Sequence, residues 1–138
     1  LGSSLVNSEE TIRRLLTTPG RWAVVGLSPN PKRPSHGVAA FLQRRGFEIV
    51  PVNPMADRVL GARSYPDLSS VPGTIDVVDI FRREPELHVD EAIAIGARAV
   101  WMQLGVINRA AAERAEAAGL DVIMDRCPVI ESRRLGLV

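Results

Sequence analysis

Five short, nearly continuous apolar runs rich in valine and isoleucine punctuate this chain: Trp22 to Leu27, Phe47 to Val52, Ile75 to Phe81, Ala99 to Leu104 and Leu120 to Met124. Apolar side chains at successive rather than alternate positions mark strands covered on both faces, the situation of a parallel sheet. Parallel neighbours need crossover connections, and the segments between the runs have helical spacing. Ser35 can cap a helix that turns Val38, Ala39, Phe41 and Leu42 inward and closes at Gly46. Pro85 opens a helix through Leu87, Ala92, Ile93 and Ile95, and Asn108 caps an alanine-rich helix ended by Gly119.

Ahead of the first run, Asn7 and Glu10 have the spacing of a capping box, and Ile12, Leu15 and Leu16 recur at helical spacing until Pro19 and Gly20. The stretch from Asn53 to Gly73 is broken by Pro54, Pro66 and Pro72, which predicts a long connection with one short helix near Asp67 to Val71. Right-handed crossovers wind this order into an open sheet. The expectation is an α/β fold: a single Rossmann-like, doubly wound, parallel five-stranded sheet in the order 3-2-1-4-5 with helices on both faces, formed by residues 21–138, with 1–20 as a lead-in helix of the same domain.

Composition narrows the function. Seventeen basic against sixteen acidic residues leave a net charge of +1, so no global field favours nucleic acid and any anion site must be local. The lone Cys127 allows no internal disulfide and no metal-binding pair, which fits a reducing compartment. Leu1 to Ser8 show no basic segment followed by a long apolar run, so neither an export signal nor a membrane span is expected, and the expected location is cytoplasmic. The absence of an initiator methionine suggests a processed or artificial start.

Open parallel sheets bind ligands beyond the carboxyl ends of their strands, where the strand order reverses. The first such segment holds Gly26, Ser28, Asn30, Lys32, Arg33 and Ser35, which offer backbone N–H groups, neutral donors and positive charge for a diphosphate. It lacks the further glycines of a dinucleotide fingerprint and reads equally as a solvated loop. The second strand ends at Asn53 and Pro54, where an NAD-binding domain carries an acid; an amide tolerates a phosphorylated ribose and favours CoA or NADP, although Asn-Pro is also a plain turn starter. Phe81, Arg82 and Arg83 follow the third strand and can stack on a ring and grip phosphate, or serve as a solvated helix entry. Gln103, Leu104 and Gly105 follow the fourth, offering an amide and a close approach, as an ordinary strand exit also would. His36 and His88 are expected at a helix start and on a helix surface. No pairing of Asp76, Asp79 or Asp125 forms an acid–base couple, so no catalytic constellation is expected. Arg126 beside Cys127 could favour its thiolate, against the alternative of a packed, inert cysteine.

The set Val25-Gly26-Leu27-Ser28-Pro29-Asn30, Arg33-Pro34-Ser35-His36, Val52-Asn53-Pro54, Asp76 through Arg83, Trp101 through Gly105 and Met124-Asp125-Arg126-Cys127 resembles the stand-alone CoA-binding proteins that look like the amino-terminal domain of the succinyl-CoA synthetase alpha subunit. The resemblance covers about Trp22 to Ile130. It implies CoA held across the crevice, with Ser28 near phosphate, Asn53 and Pro54 near the nucleotide, and the segments at Phe81 and Gln103 lining the rest. The glycine-rich first loop of the synthetase is missing here. The resemblance further implies non-catalytic binding of CoA or an acyl-CoA, as a sensor or carrier. A thiolate at Cys127, favoured by Arg126, would be open to a mixed disulfide with the CoA thiol. An NADP-dependent oxidoreductase and a nucleotide-responsive regulatory module are the alternatives, and a homodimer stays open. Neither nucleic acid nor membrane is an expected partner.

Overall fold

The computed structural model describes residues 4–138; positions 1–3 of the expected lead-in segment lie outside the described residues. Five parallel strands form the sheet: β1 (Arg21–Val25), β2 (Glu48–Val52), β5 (Val77–Ile80), β6 (Ala99–Met102) and β7 (Asp121–Ile123), in the spatial order β2-β1-β5-β6-β7. Between β2 and β5 lies an antiparallel hairpin of β3 (Arg58–Val59) and β4 (Ala62–Arg63), followed by one 3-10 turn at Leu68–Ser70 capped by the Asp67 side chain. The hairpin was not legible because its strands are too short to show alternation; its turn is closed by Leu60 and Gly61, both with positive φ (52° and 78°), as a tight right-twisted hairpin requires.

The Rossmann pattern 3-2-1-4-5 is kept, with one assignment moved. The slot outside β2 is held by Tyr65, which forms a single parallel bridge with Val52 and exchanges hydrogen bonds with Pro51 and Asn53. The Ile75 to Phe81 segment, expected as the third strand, instead crosses over and pairs with the other side of β1, Trp22 opposite Val77 and Val25 opposite Ile80. The connection from Asn53 to Gly73 is long enough to do both.

Alternation along the strands divides the core between the two faces. Ala23, Val25, Val50, Val78, Ile80, Val100 and Met102 face α3 (Glu86–Ala94) and α4 (Arg109–Ala117). Trp22, Val24, Ile49, Val77 and Trp101 face α1 (Glu9–Thr17), α2 (Pro34–Arg44) and α5 (Pro128–Arg134), with Trp22 between Phe47 (5.4 Å) and Trp101 (5.6 Å). No described helix is long and apolar enough to cross a membrane.

Two capping expectations change. Ser8, not Asn7, caps α1, accepting from the Thr11 N–H. Asn7, with φ of 61°, uses its amide on the chain beyond β7: Oδ1 accepts from the Met124 N–H (2.7 Å) and Nδ2 donates to the Met124 carbonyl (3.0 Å). Helix α5 has no counterpart among the expected elements. It starts at Pro128 and is tied to α1 by Arg134, which donates to both carboxylate oxygens of Glu9 (2.7 and 2.9 Å) and to Glu131.

Candidate functional site

From β1 the chain steps to β2 on one side and returns to β5 on the other, so the loops leaving the carboxyl ends of β1 and β5 diverge and leave a crevice. Gly26 begins the first wall. Its N–H continues the ladder to the Val52 carbonyl (2.9 Å), and its φ of +86° turns the chain away from the sheet. A Cβ at this position would stand 3.0 Å from Arg82 Nε, so the missing side chain lets the guanidinium lie against the backbone.

The loop after Gly26 is closed by its own hydrogen bonds. Ser35 Oγ accepts from the Ser28 N–H, Ser28 Oγ from the Asn30 N–H, and Asn30 Oδ1 from the Lys32 N–H, each at 3.0 Å. The Asn30 carbonyl accepts from the Arg33 N–H (3.0 Å). Proline at 29, 31 and 34 offers no further donor. The expected backbone cradle is therefore largely committed within the loop, and positive charge at the crevice comes from side chains. Ser35 braces Ser28 instead of capping α2, whose N-cap position is Arg33 with Pro34 following.

Asn53 is the buried clamp between the two strand exits. Nδ2 donates to the Leu27 carbonyl (2.9 Å), Oδ1 accepts from the Met55 N–H (2.9 Å), and its carbonyl accepts from Ser64 Oγ (3.1 Å). Most of the amide that could hold a ribose is in use locally, and what remains faces the cleft.

Three adjoining compartments result. The first, about 620 Å³, gathers Gly26, Ser28, Arg33, Ser35 and Asn53 from one side and Phe81, Arg82 and Arg83 from the other. The second, about 670 Å³, shares Pro34, Phe81 and Arg83 with the first and runs along Gln103, Leu104 and Gly105 to Cys127 and Ile130. A smaller hollow of about 290 Å³ opens on the far side of Arg82 and holds Pro54, Pro66, Leu87 and His88. The crevice thus brings together every residue singled out from the strand exits except Asn30 and Lys32, which are exposed on the loop and line none of the three.

The first compartment carries positive charge without acid. Arg33, Arg82 and Arg83 pair with no carboxylate among the described residues, as is also true of Arg13, Arg44, Arg45, Arg58, Arg63, Arg109 and Arg133; what sets the three apart is that they line one hollow with no acidic residue in its wall. Three guanidinium groups around one hollow have the chemistry to hold an anion. The second compartment is mainly apolar, with exposed Leu104 and Ile130 at its mouth, and it holds one conspicuous polar group: Gln103 is 7% exposed and its Oε1 has no hydrogen-bond partner. A buried amide oxygen left without a donor costs free energy that a donor on a ligand could recover.

His88, expected on a helix surface, is half-buried in the third hollow, with Nδ1 3.4 Å from Glu91 Oε1. Of the acids, Asp76 lies at the opposite, amino-terminal edge of the sheet, where it accepts from the Arg21 N–H (2.7 Å); Asp125 accepts from the Gly105 N–H (2.7 Å) and fixes the turn beside the second compartment. Asp79 is fully buried, and burial pushes its carboxyl well above the ordinary carboxylate range. Sequence reasoning missed Ile130 because it belongs to the unforeseen α5, and missed Met55 and His88 because nothing in their local spacing marks a ligand wall.

The chain is 39% identical over 122 residues to the protein YneT of Bacillus subtilis, covering 87% of this chain and 90% of that one. A solved structure from Pyrococcus horikoshii OT3 superposes with a TM-score of 0.86 at 37% identity, covering 98% of this chain and 99% of that one. Over 69 residues, 49% of this chain but 10% of the other, it is also 35% identical to the ADP-forming acetate–CoA ligase II of Archaeoglobus fulgidus. The model of the CoA binding domain family matches residues 20–133, the span that builds the sheet and all three compartments, and the chain belongs to that family.

Proposed function

We propose that this protein binds CoA or an acyl-CoA in the crevice, without transforming it, and serves as a sensor or carrier of that ligand. The observation that carries the reading is the continuity of an arginine-lined hollow, free of carboxylate partners, with an apolar groove containing an unpartnered amide. A phosphorylated nucleotide with a long amide-containing arm has this sequence of chemistries. The hollow at Pro54, Leu87 and His88 suits the base, Arg33, Arg82 and Arg83 suit the phosphates, and Gln103 to Gly105 suit the arm. Guanidinium, amide and hydroxyl groups bind and orient, and the family membership supports the ligand class.

The test is calorimetric titration of the purified protein, checked first by mass spectrometry for carried ligand, with CoA, acetyl-CoA, NADP and NAD. Binding of CoA and acetyl-CoA but not of NAD or NADP is expected. Selective NADP binding would overturn the reading in favour of a nicotinamide enzyme, for which the amide at Asn53 leaves room.

Gly26→Ala gives a local check. The new Cβ adds about 1 kcal/mol of left-handed backbone strain and pushes Arg82 out of its position. A fall in Tm of several degrees and a several-fold weaker CoA affinity are expected from thermal melts and titration. Unchanged affinity would show that the close approach of Arg82 to the backbone is not needed.

A further inference from the structure

We propose that the apolar compartment is a thiol–disulfide exchange site, at which Cys127 becomes reversibly linked to the thiol end of the ligand. The inference rests on the CoA reading above and adds a covalent step to it. Two independent observations support an arm of the ligand beside this sulfur. Cys127 is half-buried and lines the same compartment as Gln103, and the Gln103 amide, nine-tenths buried, has an oxygen that nothing in the fold satisfies. An arm whose amide group meets Gln103 shares its compartment with Leu104, Gly105 and Cys127.

The segment carrying the sulfur is braced. Trp101 Nε1 donates to the Arg126 carbonyl (2.9 Å), the Arg126 N–H reaches the Met102 carbonyl (3.4 Å), and Asp125, with φ of 60°, holds the Gly105 N–H. These contacts fix the residues before Cys127 against the end of β6, so the sulfur and Gln103 keep their relation without a ligand. Fixed placement of two reacting groups raises their effective concentration.

The exchange balances without a further oxidant. The Cys127 thiolate attacks the CoA sulfur of a disulfide formed between CoA and a second thiol, which in CoA disulfide is another CoA. That S–S bond breaks, a Cys127–CoA disulfide forms, and the second thiol leaves as a thiolate that takes up a proton from solvent. A dithiol reductant breaks the Cys127–CoA disulfide, freeing both thiols and itself becoming a disulfide. The number of disulfides is unchanged, and the incoming disulfide is the oxidant.

Because the chain has one cysteine, every disulfide adduct reports on Cys127. The experiment follows adduct formation by intact mass with CoA disulfide and with glutathione disulfide, each with and without excess desulfo-CoA, alongside calorimetric CoA binding in reductant. Expected are a reducible CoA adduct forming about a hundredfold faster than the glutathione adduct and its suppression by desulfo-CoA. Reversible CoA binding in reductant combined with equal or absent labelling by the two disulfides would overturn the exchange site and leave the binding proposal standing. Absence of CoA binding in reductant together with unselective labelling would overturn both.

Discussion

Replacing Arg82 and Arg83 together with alanine is expected to weaken CoA binding about a hundredfold and to flatten its dependence on salt. Neither guanidinium faces a described carboxylate, so in the free protein each is a solvated cation held at the cleft and the substitutions break no internal ion pair. Folding should therefore survive, and unchanged thermal stability is part of the expected result. Hydrogen bonds to charged groups contribute about 1.5 to 3 kcal/mol each, and exposure of both arginines puts each at the lower end. Two together give about 3 kcal/mol, about a hundredfold in Kd. Arg33 remains on the opposite wall, so residual binding keeps a reduced salt slope instead of losing it entirely. Titrations at low and high salt check this, and a folded double variant with wild-type affinity would remove the phosphate role from the loop after β5.

The way the cleft is built explains which parts of it could be seen in the sequence. The five strands were legible because valine and isoleucine at successive positions have few other uses in a chain of this composition. Their ends were extended too far, and the excess is informative. Leu27, Phe81 and Leu104 continue the apolar runs but lie beyond the strand bounds, where Leu27 packs into the core, Phe81 walls two compartments and Leu104 stands 58% exposed at the mouth of one. At Phe81 and Leu104 apolar character serves the crevice, and periodicity cannot tell that from strand.

The side of β1 on which the strand after the long connection would pair was not legible, because both faces of β1 and β5 are apolar and either placement buries them. Tyr65 settles it by occupying the outer edge of β2. Hydrogen-bond commitment was equally hidden. Ser28, Asn30, Ser35 and Asn53 have the right residue types for a ligand, yet much of their capacity closes the loop itself, and only coordinates separate a donor that is free from one that is used. The arginines were recognisable by position and are distinguished in the structure by lining one hollow together.

The largest effect on stability is expected at Asp79. In register with Val24 on β1 and Trp101 on β6, its side chain lies on the face covered by α2 and α5, fully buried, with neither carboxyl oxygen partnered among the described residues. Burial alone raises its pKa, so the native state keeps the proton at pH values where the unfolded chain, near about 3.9, releases it. The unfolded state then binds fewer protons than the native state, and stability falls as pH rises from about 4 until the buried group itself ionises. The stabilising share of this group is complete below the unfolded pKa and is lost on going up through the native one. Asp79→Asn keeps the shape and removes the titration, so it should be more stable than the parent near neutral pH by about 1 to 3 kcal/mol and should flatten the decline. Denaturant unfolding of both proteins between about pH 4 and pH 8 measures it, and parallel profiles would show that Asp79 is not held as a buried neutral acid. Phe81 lies two residues beyond Asp79, just past the end of β5, so ionising Asp79 strains the strand that leads into the cleft wall, and ligand affinity should hold better in Asp79→Asn than in the parent as pH rises.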